Sequence, residues 1–312
     1  MFEKILGQEI VKTRLANIIQ KGSVTNAYIF TGPEGVGKRL VAENFAENLL
    51  KQSIETSPDY KYISTKDGEN SIKIGQIRDL IRDMSIKPHG RYKIFLIDLA
   101  DKMTLQAQNA LLKTIEEPSA YGIIILVTKN EQALLDTIRS RCLEVKFGPI
   151  SSKYIRQILL TKGVNEQEAQ LASIFARGSV SKALEISMSQ DLKKMRQNIE
   201  EYLEVTFIDK NKYELARVGE NFKIYAKEYT NLIDLLRYYI RDIILLKEGI
   251  DHKLIINYDR TDLLRKLALK VSISKLGQIV DILDESQVKL SANCHFVTTI
   301  EAMALNIYEV IK

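Results

Sequence analysis

The chain has 312 residues, too many for one ordinary core and suited to two or three domains. With 45% hydrophobic and 27% charged residues it has the composition of a soluble globular protein, and a net charge of +5, from 45 basic and 40 acidic residues, permits a local nucleic-acid contact without demanding one. Two distant cysteines, Cys142 and Cys294, exclude a disulfide framework and a four-cysteine zinc set, which makes a reducing cytoplasm the expected compartment. The charged N-terminus and a longest clean apolar run of only Gly122 to Val127 give neither a signal core nor a membrane span.

Glu9 to Gln20 carries Ile10, Val11, Leu15, Ile18 and Ile19 at helical spacing, and Gly22 ends it. The apolar run Ala27–Thr31 predicts a buried strand. It leads into Gly32-Pro33-Glu34-Gly35-Val36-Gly37-Lys38, a P-loop up to its lysine. The glycines let successive N–H groups turn inward around phosphate oxygens, the next helix offers its positive end, and Lys38 is placed for the β- and γ-phosphates. That helix runs from Lys38 to Lys51, burying Val41, Phe45 and Leu49. A polar stretch from Gln52 to Asn70 reads as loop around one short strand, Tyr60–Ile63. An amphipathic helix over Lys73–Ile86, a strand over Tyr92–Asp98 and a helix from its N-cap Thr104 to Glu117, stopped by Pro118, come next. Strand Tyr121–Thr128, a short helix around Leu134–Arg139 and strand Leu143–Phe147 complete an alternation that predicts a mostly parallel sheet with helices on both faces. Beyond Gly148-Pro149 only helical patterns remain: short ones over Ser151–Met188, longer ones from Asp191, notably Tyr229–Glu248.

The chemistry-bearing positions depart from a working nucleotide hydrolase. The residue after a P-loop lysine is Ser or Thr where Mg²⁺ is held, and here it is Arg39. Asp98 ends the strand Ile94-Phe95-Leu96-Ile97 at the Walker B position, but the following residue, where a glutamate polarises the attacking water, is Leu99. Gly32, Gly35, Val36, Gly37, Lys38, Arg39 and Asp98 therefore form a degenerate nucleotide site. Two readings of it stand: ATP or ADP held without hydrolysis, or a Gly-rich turn that merely packs. Thr128 and Asn130, past a strand end, are candidates for sensing a γ-phosphate. Arg141, in Ser140-Arg141-Cys142 after a short helix, reads either as an arginine finger aimed at a neighbour's triphosphate or as a surface arginine paired with an acid.

Gly-Pro-Glu-Gly-Val-Gly-Lys-Arg at 32–39, Ser-Ile-Lys-Ile-Gly-Gln-Ile-Arg at 71–78, Asn-Ala-Leu-Leu-Lys-Thr-Ile-Glu-Glu-Pro at 109–118 and Thr-Ile-Arg-Ser-Arg-Cys at 137–142 resemble the bacterial clamp-loader subunits of DNA polymerase III, in the AAA+ class. Tyr-Ile-Arg-Asp-Ile-Ile-Leu-Leu-Lys at 239–247, Ile-Asn-Tyr-Asp at 256–259, Asn293 and Glu301 agree more loosely. The resemblance implies an AAA+ P-loop core over 1–148, a helical lid over 149–190 and a helical collar for ring assembly over 191–312. It implies that Arg141 acts in trans on an adjacent tau/gamma ATPase, with tau/gamma and delta subunits, the sliding clamp and primer-template DNA as partners. Arg39, Leu99 and Ser181 (where the ATPases carry a second sensing arginine) fit the delta-prime branch, which keeps Ser-Arg-Cys but does not hydrolyse ATP. The alternative is an autonomous ATPase of tau/gamma or other DNA-processing type. Lys51–Tyr60 lacks the cysteines of the zinc module found in many relatives, so no structural zinc is expected. Arg82, Lys87, Thr104 and Gln106 are candidates for phosphate contacts with DNA, or form a solvated basic face.

Overall fold

The computed structural model describes every residue except Lys4, Asp67, Ala216 and 251–253, and the side chain of Glu214. The chain divides into two compact units, Met1–Leu184 and Glu185–Lys312. The division falls inside a helix, whereas the boundary expected from the family resemblance is at 191.

The first unit is built on five parallel strands, β1 (Ala27–Thr31), β2 (Tyr60–Ile63), β3 (Lys93–Ile97), β4 (Gly122–Thr128) and β5 (Leu143–Lys146), in the order β2-β3-β4-β1-β5. The three central strands are β3, β4 and β1, and every residue of each is buried. That is why they read as unbroken apolar runs rather than alternating ones. The helices are α1 (Glu9–Lys21), α2 (Lys38–Leu50), α3 (Ile74–Met84), α4 (Leu105–Glu116) and α5 (Asp136–Arg139). Successive β1 residues serve opposite faces. Ala27 and Ile29 join a core with Phe95 and Ile97 of β3, Ile77, Leu80 and Met84 of α3, and Leu111 and Ile115 of α4. Tyr28 and Phe30 face the other way: Tyr28 meets Phe45 of α2 edge-on at 5.3 Å, and Phe30 lies 5.3 Å from Phe147. Each such ring stabilises the fold by about 1.5–3 kcal/mol through burial. Thr104 caps α4 as expected, its side chain accepting from the Ala107 N–H at 3.2 Å.

Three further helices, α6 (Ser152–Thr161), α7 (Glu166–Phe175) and α8 (Val180–Met188), follow the sheet. The turn before α8 lies against the P-loop, where the Val180 N–H donates to the Gly35 carbonyl at 2.8 Å. Gly35 has φ +76°, which favours glycine, and a Cβ there would also force the Ser179 hydroxyl to move.

The second unit is helical: α9 (Asp191–Glu204) runs into a π-helical turn, Val205–Asp209, followed by α10 (Lys212–Leu215), α11 (Val218–Phe222), α12 (Tyr229–Lys247), α13 (Thr261–Ala268), α14 (Ile273–Ser291) and α15 (Phe296–Ile311). It is held by a buried polar network as well as by apolar packing. Arg196 of α9 grips both oxygens of Asp259 at 2.6 and 2.7 Å and donates to the Tyr239 hydroxyl at 3.0 Å and the Asn257 side-chain oxygen at 3.2 Å. Tyr239 in turn donates to Glu200 at 2.5 Å. Asp242, fully buried, accepts from the Asn257 N–H at 2.8 Å, the Asn257 side chain at 2.9 Å and the Ile256 N–H at 3.2 Å. Burial pushes the Asp242 pKa above the ordinary aspartate value, against these hydrogen bonds. Burial also works against the Arg196 charge, but Asp259 and Tyr239 outweigh it and its pKa lies above the ordinary arginine value. The two motif stretches thus meet directly through Asp242 with Ile256 and Asn257, and Arg196 links Tyr239 to Asp259. Asn293, with φ +61°, closes α14: its N–H donates to the Leu290 carbonyl while the Cys294 N–H reaches Lys289. No helix among the described residues is long and apolar enough to cross a membrane.

Candidate nucleotide cleft and an exposed arginine

A cleft of about 430 Å³ opens at the C-terminal ends of the central strands and is lined by Gly35, Gly37, Lys38, Arg39, Asp98, Leu99, Thr128 and Ser181, among others. Topology explains the convergence. The P-loop follows β1, Asp98 follows β3 and Thr128 ends β4, and parallel pairing brings those ends to one rim. Gly37, with φ +85°, turns the chain into α2, and no side chain caps that helix.

Lys38 is 8% exposed. Its ammonium donates to two carbonyls of its own loop, Gly32 at 2.6 Å and Pro33 at 2.5 Å. Burial lowers its pKa below the ordinary lysine value, opposed by the charges of Asp98 and Glu34. Val36 is buried beneath the loop, and its carbonyl accepts from the Gln8 side chain at 3.3 Å.

Arg39 is tied across the cleft rim. Its Nε donates to Glu43 at 2.7 Å, its guanidinium carbon lies 4.4 Å from the centre of the Tyr62 ring, and one terminal nitrogen donates to the Tyr62 hydroxyl at 3.1 Å. The Tyr62 hydroxyl in turn donates to Asp98 Oδ2 at 3.1 Å. The other oxygen, Oδ1, accepts the Leu99 N–H at 2.9 Å. The Glu43 hydrogen bond raises the Arg39 pKa above the ordinary arginine value, and burial is the main cause holding the Tyr62 phenol above its own. These groups do not suit Mg²⁺: a guanidinium stands where the metal-holding hydroxyl belongs, and each Asp98 oxygen already accepts a hydrogen bond. Leu99 has φ +53°, a left-handed conformation unusual for leucine, and carries no base.

Tyr62 is the site residue that sequence reasoning missed. It belongs to a short strand in a polar stretch and reaches Asp98 because β2 pairs with β3 in a register that sets Tyr62 opposite Leu96. Lys129 and Glu34, paired at 3.0 Å, were also passed over. The two sensor candidates have internal partners: the Thr128 hydroxyl donates to Asp101 at 2.9 Å, and the Asn130 side chain accepts from the Gln132 N–H at 3.1 Å.

Arg141 does not line this cleft. It follows α5, and one nitrogen donates to the Thr137 carbonyl at 2.9 Å and the Ser140 hydroxyl at 3.3 Å. Another pairs with Glu116 at 3.1 Å, with both side chains over 40% exposed. An exposed pair of that kind contributes about 0–1 kcal/mol and is readily exchanged for another anion. Cys142 beside it is half-buried, and desolvation pushes its thiol up to about 12. Of the DNA candidates, Arg82 of α3 is exposed and pairs with Asp79 at 2.6 Å, while Lys87 and Gln106 are exposed and Thr104 is committed to its cap.

Two family models match the chain: "DNA polymerase III, delta subunit" over residues 7–151, and "DNA polymerase III, delta subunit, C terminal" over residues 190–294. DNA polymerase III subunit delta' of Bacillus subtilis is 29% identical over 97% of this chain and 96% of its own length. Subunit delta' of Pseudomonas aeruginosa is 34% identical over 38% of this chain and 42% of its own. Subunit gamma of Buchnera aphidicola is 30% identical over 59% of this chain and 57% of its own, and the chain spans from about a third to three fifths of the gamma and tau relatives it matches. Among solved structures, a gamma subunit-related protein of Thermotoga maritima is matched over 97% of this chain and 99% of that one, at 22% identity and a TM-score of 0.44, a loose likeness. With two delta-subunit models that together span most of the chain, and a delta' relative aligned over nearly its full length, the chain belongs to the DNA polymerase III delta-subunit family.

Proposed function

We propose that the chain serves as the delta-prime-type member of a clamp-loader assembly, a subunit that does not hydrolyse ATP itself and lends Arg141 to the triphosphate of a neighbouring tau/gamma-type ATPase. One observation carries this reading: the arginine of the Ser-Arg-Cys trio stands on the surface outside its own cleft, with one weakly paired acid, while that cleft has Arg39 and Leu99 where hydrolysis needs a hydroxyl and a base. A guanidinium of this kind stabilises charge on a transferring phosphoryl group, an effect of about 10³–10⁵ in rate in GTPases. The test is reconstitution with tau/gamma and delta subunits. Arg141→Ala should assemble as the wild type does and lower ATP turnover stimulated by primed DNA, by up to about 10³-fold if the sites fire in concert. An unchanged turnover overturns the role.

Through the assembly, the chain would help to place a sliding clamp on primer-template DNA. Arg82, Lys87 and the exposed first turn of α4 at Gln106 are the groups offered to phosphates. Replacing Arg82 and Lys87 together with Gln should weaken binding of primed DNA evenly across sequences. It should also flatten the log–log salt slope by about two.

A further inference from the structure

We propose that the P-loop cleft binds a diphosphate group, as in a nucleoside diphosphate, without a divalent cation, and that Arg39 and Tyr62 impose this metal independence. The claim concerns this chain's own cleft and stands apart from the role of Arg141.

The anion side rests on Lys38. A lysine 8% exposed whose bonded partners are two neutral carbonyls has no direct ionic partner among the described residues, and Asp98 and Glu34 act on it only from a distance. It opens on a cleft of about 430 Å³, within the size range of small-ligand sites, at the uncapped start of α2. A phosphate oxygen entering there supplies the negative partner that Gly32 and Pro33 do not.

The metal side rests on the chain Arg39–Tyr62–Asp98. A divalent ion at Asp98 must compete with the Tyr62 hydroxyl for Oδ2 and then lie beside a guanidinium that cannot lose its proton. Glu43 and the face of Tyr62 hold Arg39 at that rim, beside the Asp98 carboxylate. In its place it offers N–H groups and a permanent positive charge, which serve a diphosphate as the metal ordinarily does.

The experiment titrates the full chain with a fluorescent ADP analogue in excess EDTA and in excess MgCl₂, with inorganic pyrophosphate as competitor. The expected result is a dissociation constant that agrees within about threefold between the two solutions. Pyrophosphate that displaces the probe assigns recognition to the diphosphate alone; pyrophosphate that fails to do so, with ADP still competing, adds the nucleoside to the requirement. Arg39→Thr should make MgCl₂ tighten binding by about tenfold or more. Tyr62→Phe, which keeps the ring and frees Asp98, should move in the same direction, and it carries the test if Arg39→Thr melts early. Lys38→Ala should abolish binding without changing the melting curve. The proposal is overturned if wild-type binding tightens tenfold with MgCl₂, if neither ADP nor pyrophosphate binds, or if both metal-side variants stay insensitive to the metal.

Discussion

Arg39 and Arg196 have nearly the same companions and opposite fates. Each is held by a carboxylate and a tyrosine hydroxyl: Arg39 by Glu43 and Tyr62, Arg196 by Asp259 and Tyr239. The Arg39 side chain is 54% exposed at a cleft rim, and the Arg196 side chain is 10% exposed between helices. Water screens the first set, so its bonds can be traded for a ligand at small cost. The second set sits in low dielectric, where losing one partner strands the others. Solvent access, rather than residue type, separates a site from a strut.

Removing Arg196 should have the largest effect on stability. Arg196→Ala leaves the buried Asp259 with only the longer contact to Arg260 at 3.7 Å, and the helical unit should lose roughly 3–5 kcal/mol, read as a lower denaturant midpoint for that unit by circular dichroism. Replacing the pair together, Arg196→Met with Asp259→Leu, should recover much of the loss. A double variant as unstable as the single one would show that the pair does more than satisfy itself. Asn257→Ala should come second. It removes one side-chain hydrogen bond from Asp242 and one partner from Arg196 but keeps the backbone N–H, for a loss of about 1–3 kcal/mol by the same measurement. Arg39→Ala should cost least, about 0–1 kcal/mol in the first unit. A loss as large as that of Arg196→Ala would erase the contrast and make Arg39 a strut too.

Much of the first unit was legible in the sequence because its signals are local. An apolar run between turn residues marks β1 within a residue, and Thr104 marks its helix start by a bond three residues away. The P-loop lysine, the arginine beside it and Leu99 could be read as a damaged hydrolytic site without any coordinates. Tyr62 could not be read this way. Its partners are 23 and 36 residues distant, and a tyrosine in a polar stretch carries no mark of which strand it will pair with. The motifs of the helical unit were visible as residues but not as a network, since Arg196 and Asp259 are 63 positions apart.

The sequence by itself determined the alternation of strands and helices, the glycine-rich loop with its lysine, the Arg39 and Leu99 that stand where hydrolysis needs a hydroxyl and a base, and the Ser-Arg-Cys trio as a motif. These follow from side-chain period and residue chemistry, which act over a few positions. Only the tertiary structure decided that Lys38 folds onto its own loop, that Tyr62 links Arg39 to Asp98, and that Arg196 is buried while Arg141 is not. Those outcomes depend on which strand lies beside which and on how much water reaches each charge, and both are fixed by contacts between distant parts of the chain.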